Sequence, residues 1–581
     1  MKYFSKEKAG TTNRHYTGGV TALFLATSLV ACGGGGGSSG GGESQDDSPA
    51  AFSVTAVTPN DGESGVQPDA TLMASFNRDL LASSINNIQI TKNNGVRPTN
   101  VPVSVTIDTA NSVNIRPDEP LDILSEYSVT MTSDLSDNSG RPLSEAFPWH
   151  FVTRDGDWEQ AGLIDTGSAV AKEPGIASDY DGNGWAVWLK EDLSTGNFNV
   201  IGRYYNADNG GWASQTLPLN SDETTSVSDP CIAVDLSGNA IVAWVQDDAV
   251  YARHWDVGSA ADESSWSAVK KISGSNPVDG ESLQVAFSAS TSARAVWLED
   301  GAGATMTLVS NNYRTVGAQW DGPVAGPDLD VLFGSASYVE FDADKQGNGI
   351  FLWSKKDDSL LPEADSRIHA TRYDAAADNW VNTTTIEDGV LKGTAKDVQL
   401  DFDQEGNAYA AWSRTGTPDF FARVYVSRYD VDSGAWNGST QIMGGREESD
   451  GRYPDMAVDL QGNAMVSFEA GEVYAAYYPA EEGQWSHAEE IGEFASNGHS
   501  DVTFDEDGNA TVVWNKDDGG AKNIFSNRYA AITDSWAVEE RIENGGGAAA
   551  GEPAISSYFG ASPMAVWEDA GRIYANRFSS E

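Results

Sequence analysis

A tryptophan closing an Ala-Val-Trp-like segment recurs from Arg154 to the C-terminus, at Trp188, Trp244, Trp297, Trp353, Trp412, Trp514 and Trp567, with Phe468 in the same role. Successive markers lie 46 to 59 residues apart. A unit of that length, built of alternating apolar and polar residues, has room for about four short strands, and several such units in a row are the signature of propeller blades. Within a unit the order is a strand such as Ile232-Ala233-Val234, a turn such as Asp235-Leu236-Ser237-Gly238-Asn239, and a strand ending at the marker. A third strand such as Ile524 to Tyr529 and a fourth opening with another tryptophan complete it.

The fourth strands carry tryptophan and isoleucine six apart: Trp266/Ile272, Trp380/Ile386, Trp436/Ile442, Trp485/Ile491 and Trp536/Ile542. The same pair, Trp158 and Ile164, stands ahead of the first unit, while the last unit stops at Arg577-Phe578 in its third strand. A ring needs its last blade bonded to its first, and pairing these ends removes two exposed sheet edges. The expectation is an eight-bladed propeller over 155–581, closed by an N-terminal strand. Seven blades plus a stray hairpin is the alternative, because the third and eighth units are degenerate.

With 36 basic and 86 acidic side chains the formal net charge is −50. Such a surface repels phosphate backbones, which excludes nucleic acid as a partner. The cysteines are Cys32 and Cys231, so a mature chain beginning at Cys32 has no thiol pair to crosslink within its fold. No HExxH motif, phosphate loop, zinc cysteine set or dinucleotide fingerprint occurs, and no cofactor is expected.

Ahead of the repeats, Val20 to Ala31 is an apolar run too short to span a bilayer, preceded by Lys2, Lys6, Lys8 and Arg14 and ending Leu29-Val30-Ala31-Cys32. This N-terminus resembles that of bacterial lipoproteins. The resemblance implies a signal peptide over 1–31, a lipid on Cys32, a membrane partner through that anchor, and outer-membrane sorting, since Gly33 replaces the aspartate that retains lipoproteins in the inner membrane. Residues 32–50, rich in Gly and Ser and then acidic, read as a flexible tether.

Residues 51–154 read as a β-sandwich, with alternating strands at Val54 to Val57, Thr71 to Phe76, Val103 to Ile107 and Tyr127 to Met131. Thr58-Pro59-Asn60-Asp61-Gly62, Arg116-Pro117-Asp118, Asp137-Asn138-Ser139-Gly140 and the closing Trp149-His150-Phe151-Val152-Thr153 resemble the bacterial Ig-like domain of S-layer and surface proteins. That resemblance implies spacing or adhesion and offers no catalytic residue. The repeats, in turn, resemble propellers with NHL-type and sialidase-type (Asp-box) blades, in architecture alone.

Three sets of residues invite a functional reading. The Asp-x-x-Gly-Asn turns at Asp179, Asp235, Asp344, Asp403, Asp459 and Asp505 have a backbone reason to recur, since Asp accepts main-chain hydrogen bonds and Gly takes positive φ. The copy holding Asp179, Asp181 and Asn183 also matches the opening of a calcium loop, although its twelfth position is Lys190 and not Glu. Arg203, Arg372, Arg428, Arg528 and Arg577 precede aromatics in the third strands and suggest pairing with the turn aspartates. Acidic pairs after the markers form the third set. Asp247, Asp248, Glu299, Asp300, Asp517, Asp518, Glu568 and Asp569 are expected to line one rim as a ligand-binding surface.

The chain is thus expected to be an all-β, lipid-anchored envelope protein displaying a propeller for non-catalytic binding of a glycan or protein. A propeller-type glycan-cleaving enzyme, sialidase-like or other, and a scaffold subunit of an envelope complex are the alternatives.

Overall fold

The computed structural model describes residues 51–581 apart from 94–97, 222–223, 290–291, 302–304, 333–337, 357–365, 388–392, 416–420, 443–449, 494–498, 518, 544–549, 558–561 and 580–581. The expected signal peptide, Cys32 and the expected tether therefore lie outside the described residues, as does Asp518.

Residues 52–153 form a sandwich. One sheet joins Val54–Thr58, Leu72–Phe76, Ser112–Pro117 and Val103–Thr109 in that order; the other joins Glu63–Val66, Phe147–Thr153, Glu126–Met131, Ile88–Lys92 and Thr99–Val101. Alternation sends Leu72, Ala74 and Phe76 from one sheet against Tyr127, Val129 and Met131 from the other, with Trp149 and Phe151 completing a fully buried core.

Eight antiparallel sheets follow. Their innermost strands are Ala171–Ser178, Val227–Val234, Val278–Ala289, Val339–Ala343, Thr394–Phe402, Arg452–Val458, Ser500–Phe504 and Ala554–Ser556. Each packs against the innermost strand of the next sheet, and the last packs against the first, so the sheets are eight blades around a central channel. The eighth blade is composite: Asp157 and Trp158 pair with Ser579 and Phe578, and Gly162 and Leu163 pair with Ala575 and Tyr574. The closure read from Trp158 and Ile164 is the one found. The seven-blade alternative fails because the third and eighth sheets are complete.

The recurrent aromatics hold neighbouring blades together. All eight markers, from Trp188 to Trp567, are at most 2% exposed. The third strand of each blade ends in an aromatic set opposite the outer-strand tryptophan, as in Tyr205↔Trp212, Tyr313↔Trp320, Tyr373↔Trp380, Tyr429↔Trp436 and Tyr529↔Trp536. Where an isoleucine follows the tryptophan by six residues, as at Ile164, Ile272, Ile386, Ile442, Ile491 and Ile542, it is buried; Trp212 and Trp320 are followed instead by Pro218 and Gly326.

The Asp-x-x-Gly-Asn segments are the turns between innermost and second strands. Asp179 Oδ1 accepts the amides of Asp181 and Asn183 at 3.0 and 2.8 Å, and its Oδ2 accepts Asn183 Nδ2 at 3.0 Å. Asn183 Oδ1 then accepts the amide of Ala207 beyond the third strand, and Asn239, Asn348, Asn407, Asn463 and Asn509 do the same in their blades. The motif therefore staples two successive turns on one face of the propeller.

The Ig-like domain meets that face at the turn of blade 7. Lys92, buried to 6% side-chain exposure, donates to Glu506 at 2.8 Å and lies 2.9 Å from both Asp122 and Asp507. Ser125 Oγ donates to Asp507 at 2.6 Å. Burial opposes the charge on Lys92, but Asp507, Asp122 and Glu506 outweigh it and hold the ammonium above its usual range. Asp155, in the connection between the domains, lies 3.2 Å from Arg528 of blade 7.

Candidate functional site

The innermost strands begin on the opposite face, beside the hairpins that join second and third strands. Four of them enter with a one-residue register shift, between Lys172 and Gly175, Ser228 and Cys231, Lys396 and Gln399, and Arg452 and Asp455, and that of blade 3 with a longer one between Asp279 and Gln284. A bulge of this kind places a residue in the left-handed region, normally a glycine's place. Here the residues are Glu173 (φ 55°), Asp229 (φ 52°), Asp397 (φ 53°) and Tyr453 (φ 50°), and blade 4 puts Tyr338 (φ 69°) at the equivalent step. Left-handed backbone costs a residue with a side chain about 1–2 kcal/mol, most for bulky ones such as tyrosine.

These residues, from blades 1, 2, 4, 5 and 6, stand at the start of the innermost strands, at the mouth of the channel. From blade 4 to blade 8 they form a neighbourhood that His499 and Glu552 extend. Burial raises the Tyr338 hydroxyl's pKa, and nearby Asp397 and Tyr453 add to it. Lys396 Nζ sits 3.9 Å from Asp397 Oδ2 and 6.0 Å from the Tyr453 ring. Tyr453 stacks on His499 with centroids 4.2 Å apart, and His499 Nε2 lies 3.4 Å from Glu552 Oε1. Blades 1 to 3 contribute acids: Glu173 beside Lys172, Asp229, and Asp279, whose carboxyl is raised by burial and then by Glu281 and Asp229. The strand of blade 3 passes so close that a Cβ on Gly280 would lie 2.4 Å from Asp229 Oδ2.

Deeper in the channel, carboxyls cap the unpaired edge of the neighbouring blade. Asp401 Oδ2 accepts the amide of Val458 at 2.7 Å, Asp455 Oδ2 that of Val502 at 2.8 Å, and Asp501 Oδ2 that of Ile555 at 2.9 Å. Gln284 Oε1 takes the same role toward Phe341 at 2.6 Å. Burial pushes Glu340 up to about 8 and Asp401 up to about 7. It also raises Asp342, Asp455 and Asp501, and Asp342 and Asp455 are raised further by hydrogen-bonding to Asp401 and Asp501. Carboxyls in direct hydrogen bonds are closer than the ~5–9.5 Å separation of glycosidase pairs. At the turn-face end the channel widens into a cavity of about 700 Å³ that includes Asp342, Asp401, Phe287, Phe402 and Phe504.

Several of the rim acids expected from sequence also serve the backbone, and Asp247, Asp248 and Asp517 are exposed. Asp247 (φ 51°) and Asp248 (φ 55°) are the two central residues of a tight hairpin between Ala240–Gln246 and Ala249–Trp255. Glu299 is 5% exposed and accepts the indole N–H of Trp297 at 2.8 Å, so it belongs to the packing and not to a rim. Asp300 is half-buried beside it at the end of the same strand. Asp517 caps the amide of Gly520 at 2.8 Å, and Glu568 that of Gly571 at 3.0 Å. Asp569 ends its strand opposite Arg572. For Asp179, Asp181 and Asn183, both Asp179 oxygens are occupied by the turn itself. Among the described residues no group of three or more His, Cys, Asp or Glu is placed to hold a metal ion.

The arginines divide as well. Arg528 alone of the five pairs with a turn aspartate, Asp505, at 3.3 Å; Arg372, Arg428 and Arg577 pair with Asp374, Asp430 and Glu159. Arg203 lies opposite Ala186, one step out of register with Arg372 opposite Ile350, and donates to the carbonyls of Ala213 and Ile164. The mouth and channel residues went unread in the sequence. The channel acids' signal is an acid two or four residues before the turn aspartate in blades 4 to 7: Glu340 and Asp342, Asp401, Asp455 and Asp501.

Residues 48–153 match the bacterial Ig-like domain family. No curated protein matches the chain. Among solved structures, a Dyadobacter fermentans protein of unknown function is similar at 13% identity and TM-score 0.35, over 64% of this chain and 97% of its own. The β-propeller domain of the trilobed protease from Pyrococcus furiosus is similar at 11% identity and TM-score 0.37, over 66% of this chain and 97% of its own. The polysaccharide lyase Uly1 is similar at 10% identity and TM-score 0.39, over 74% and 98%. Likeness at this level concerns architecture and says nothing of activity.

Proposed function

We propose that this chain is a lipid-anchored protein of the bacterial envelope whose propeller binds a glycan or protein partner without catalysis. The Ig-like domain meets the propeller at its turn face, and among the described residues it makes no contact at the opposite mouth. The observation that carries the reading is the mouth itself: Tyr338, Tyr453 and His499 lie beside Asp397 and Glu552, with both tyrosines in left-handed backbone. Strained residues persist where the surrounding fold over-determines them, and they gather at ligand sites. Aromatic faces next to carboxylates suit a partner that offers basic or polyhydroxylated groups, and the net charge of −50 favours its approach when it is basic. Directly hydrogen-bonded channel carboxyls speak against a two-carboxylate hydrolase.

The test is a glycan and peptide array probed with the chain from residue 52 onward, wild type and Tyr338→Ala/Tyr453→Ala. Signals that the double variant loses, at an unchanged melting temperature, support the mouth as the site. Identical profiles for the two proteins reject it. Lipid attachment is tested separately by Cys32→Ser, which should abolish labelled palmitate incorporation and release the chain from membranes.

A further inference from the structure

Around the propeller, each blade presents to its neighbour an aromatic at the end of its third strand, and the preceding blade covers it. Tyr204 lies 5.2 Å from Trp255, His254 5.0 Å from Tyr313, Tyr409 5.5 Å from Tyr478 and Tyr477 5.1 Å from Tyr529, measured between ring centroids. Arg294 lies 3.4 Å over Tyr373, Arg528 4.2 Å over Phe578 and Arg577 5.8 Å over Tyr205. Seven junctions are closed in this way. The junction between blades 4 and 5 is the exception: among the described contacts no ring or cation of blade 4 lies over Tyr429.

The sequence gives the cause. Ile350 stands where blade 1 has Trp185, blade 3 has Arg294 and blade 5 has Tyr409, each the residue after the small one (Gly349, Gly184, Ala293, Ala408) that lies opposite the third strand's last aromatic. Arg372, in register with Arg528 and Arg577, is instead drawn to its own Asp374 at 3.2 Å. A register shift between Ala370 and Arg372 bulges the outer strand Asn379–Thr385 and leaves Asn382 at φ 55°. What results is a cleft of about 350 Å³ walled by Ile350, Arg372, Asn382, Thr384, Tyr429 and Trp436. Its size falls at the small end of the ~300–1,000 Å³ usual for ligand pockets.

We infer that this inter-blade cleft binds a neutral pyranose, which takes the place of the missing stacking group. The walls match the two characters of a sugar ring: the half-exposed Trp436, over a buried floor of Tyr429 and Ile350, for the C–H face, and hydroxyl, amide and guanidinium groups of Thr384, Asn382 and Arg372 for the hydroxyls. Asn382 and Thr384 are exposed, so the cleft is open to solvent. The pairing of Arg372 with Asp374 and the net charge of −50 disfavour an anionic sugar. The site shares no residue with the channel mouth and stands whether or not the mouth binds anything.

The full chain is titrated calorimetrically with the methyl pyranosides of glucose, galactose and mannose, and with L-arginine amide. Binding of at least one pyranoside is expected. It should weaken about tenfold in Trp436→Ala, the order of a lost ring contact. It should vanish in Ile350→Tyr, which supplies the ring that Tyr409 supplies one junction later, and be unchanged in Tyr338→Ala/Tyr453→Ala. If Ile350→Tyr fails to fold, Trp436→Ala together with Arg372→Ala carries the test. The inference is overturned if no pyranoside binds, if binding survives the cleft variants, or if arginine amide binds in the sugars' place.

Discussion

Trp158 and Phe578, 420 residues apart in the chain, are paired neighbours in the eighth blade, their rings edge-on with centroids 5.6 Å apart. The propeller is therefore closed by its own first strand, immediately after the Ig-like domain. Leaving out residues 157–164 would expose the edge of Arg572–Ser579 and uncover buried Phe578 and Ile573. A chain starting at Thr166 should melt well below one starting at Gly156. Equal melting temperatures by differential scanning calorimetry would show that the join contributes nothing to the ring.

Blade 5 carries an ion pair of a different kind from those at the surface. Arg414 Nη1 lies 2.8 Å from both oxygens of Glu387, and both side chains are 2% exposed. Removing one member of a buried pair leaves the other charge uncompensated, so Arg414→Ala should cost about 3–5 kcal/mol in urea unfolding. Arg314→Ala, breaking the exposed pair with Asp321, should cost about 1 kcal/mol or less. Similar losses in the two variants would refute the distinction.

How much of this was legible in the sequence follows from which residues repeat for packing. The tryptophan and isoleucine at fixed spacing serve one purpose wherever they recur, so blade number and closure could be read from Trp158, Ile164 and Phe578. The Asp-x-x-Gly-Asn turn was legible for the same reason. The backbone roles of the loop acids were not legible: Asp247, Asp248, Asp517 and Glu568 shape tight hairpins, a role their charge hides, while Glu299 faces inward to an indole. Mouth and cleft were not legible because each depends on a junction between blades. Nothing local distinguishes Ile350 from Ile241 until the neighbouring Tyr429 is in place.

Lys92 and Asp507 join the two folded domains through a lysine surrounded by three carboxylates. Lys92→Met would leave Asp507 and Glu506 repelling each other and Asp122 beneath the Ig-like domain. The domain connection around Arg154 should then become a faster site for trypsin, with the melting of the propeller itself little changed. Cleavage at the wild-type rate would mean that the Lys92 cluster does not hold the domains together.

The channel carboxyls make a prediction about pH whose sign is fixed by their geometry. Glu340 and Asp401 titrate at about 8 and about 7 in the folded chain, and Asp342, Asp455 and Asp501 are raised too, in each case first by burial. In the unfolded chain such groups titrate near ~4. Between these values the folded state holds more protons than the unfolded one, so stability from these groups is greatest below about pH 4 and declines as pH rises toward 8. The charge of Asp401 raises Asp342 beyond what burial does, and Asp342→Asn removes that repulsion and carries an N–H at every pH. The variant should melt higher than wild type at pH 9, by about 2–4 °C for each kcal/mol recovered, and lose that advantage at pH 5. A wild-type melting temperature that climbs from pH 5 to pH 9, or an Asp342→Asn variant whose effect is the same at both, would show that these carboxyls do not titrate as a buried, proton-sharing set.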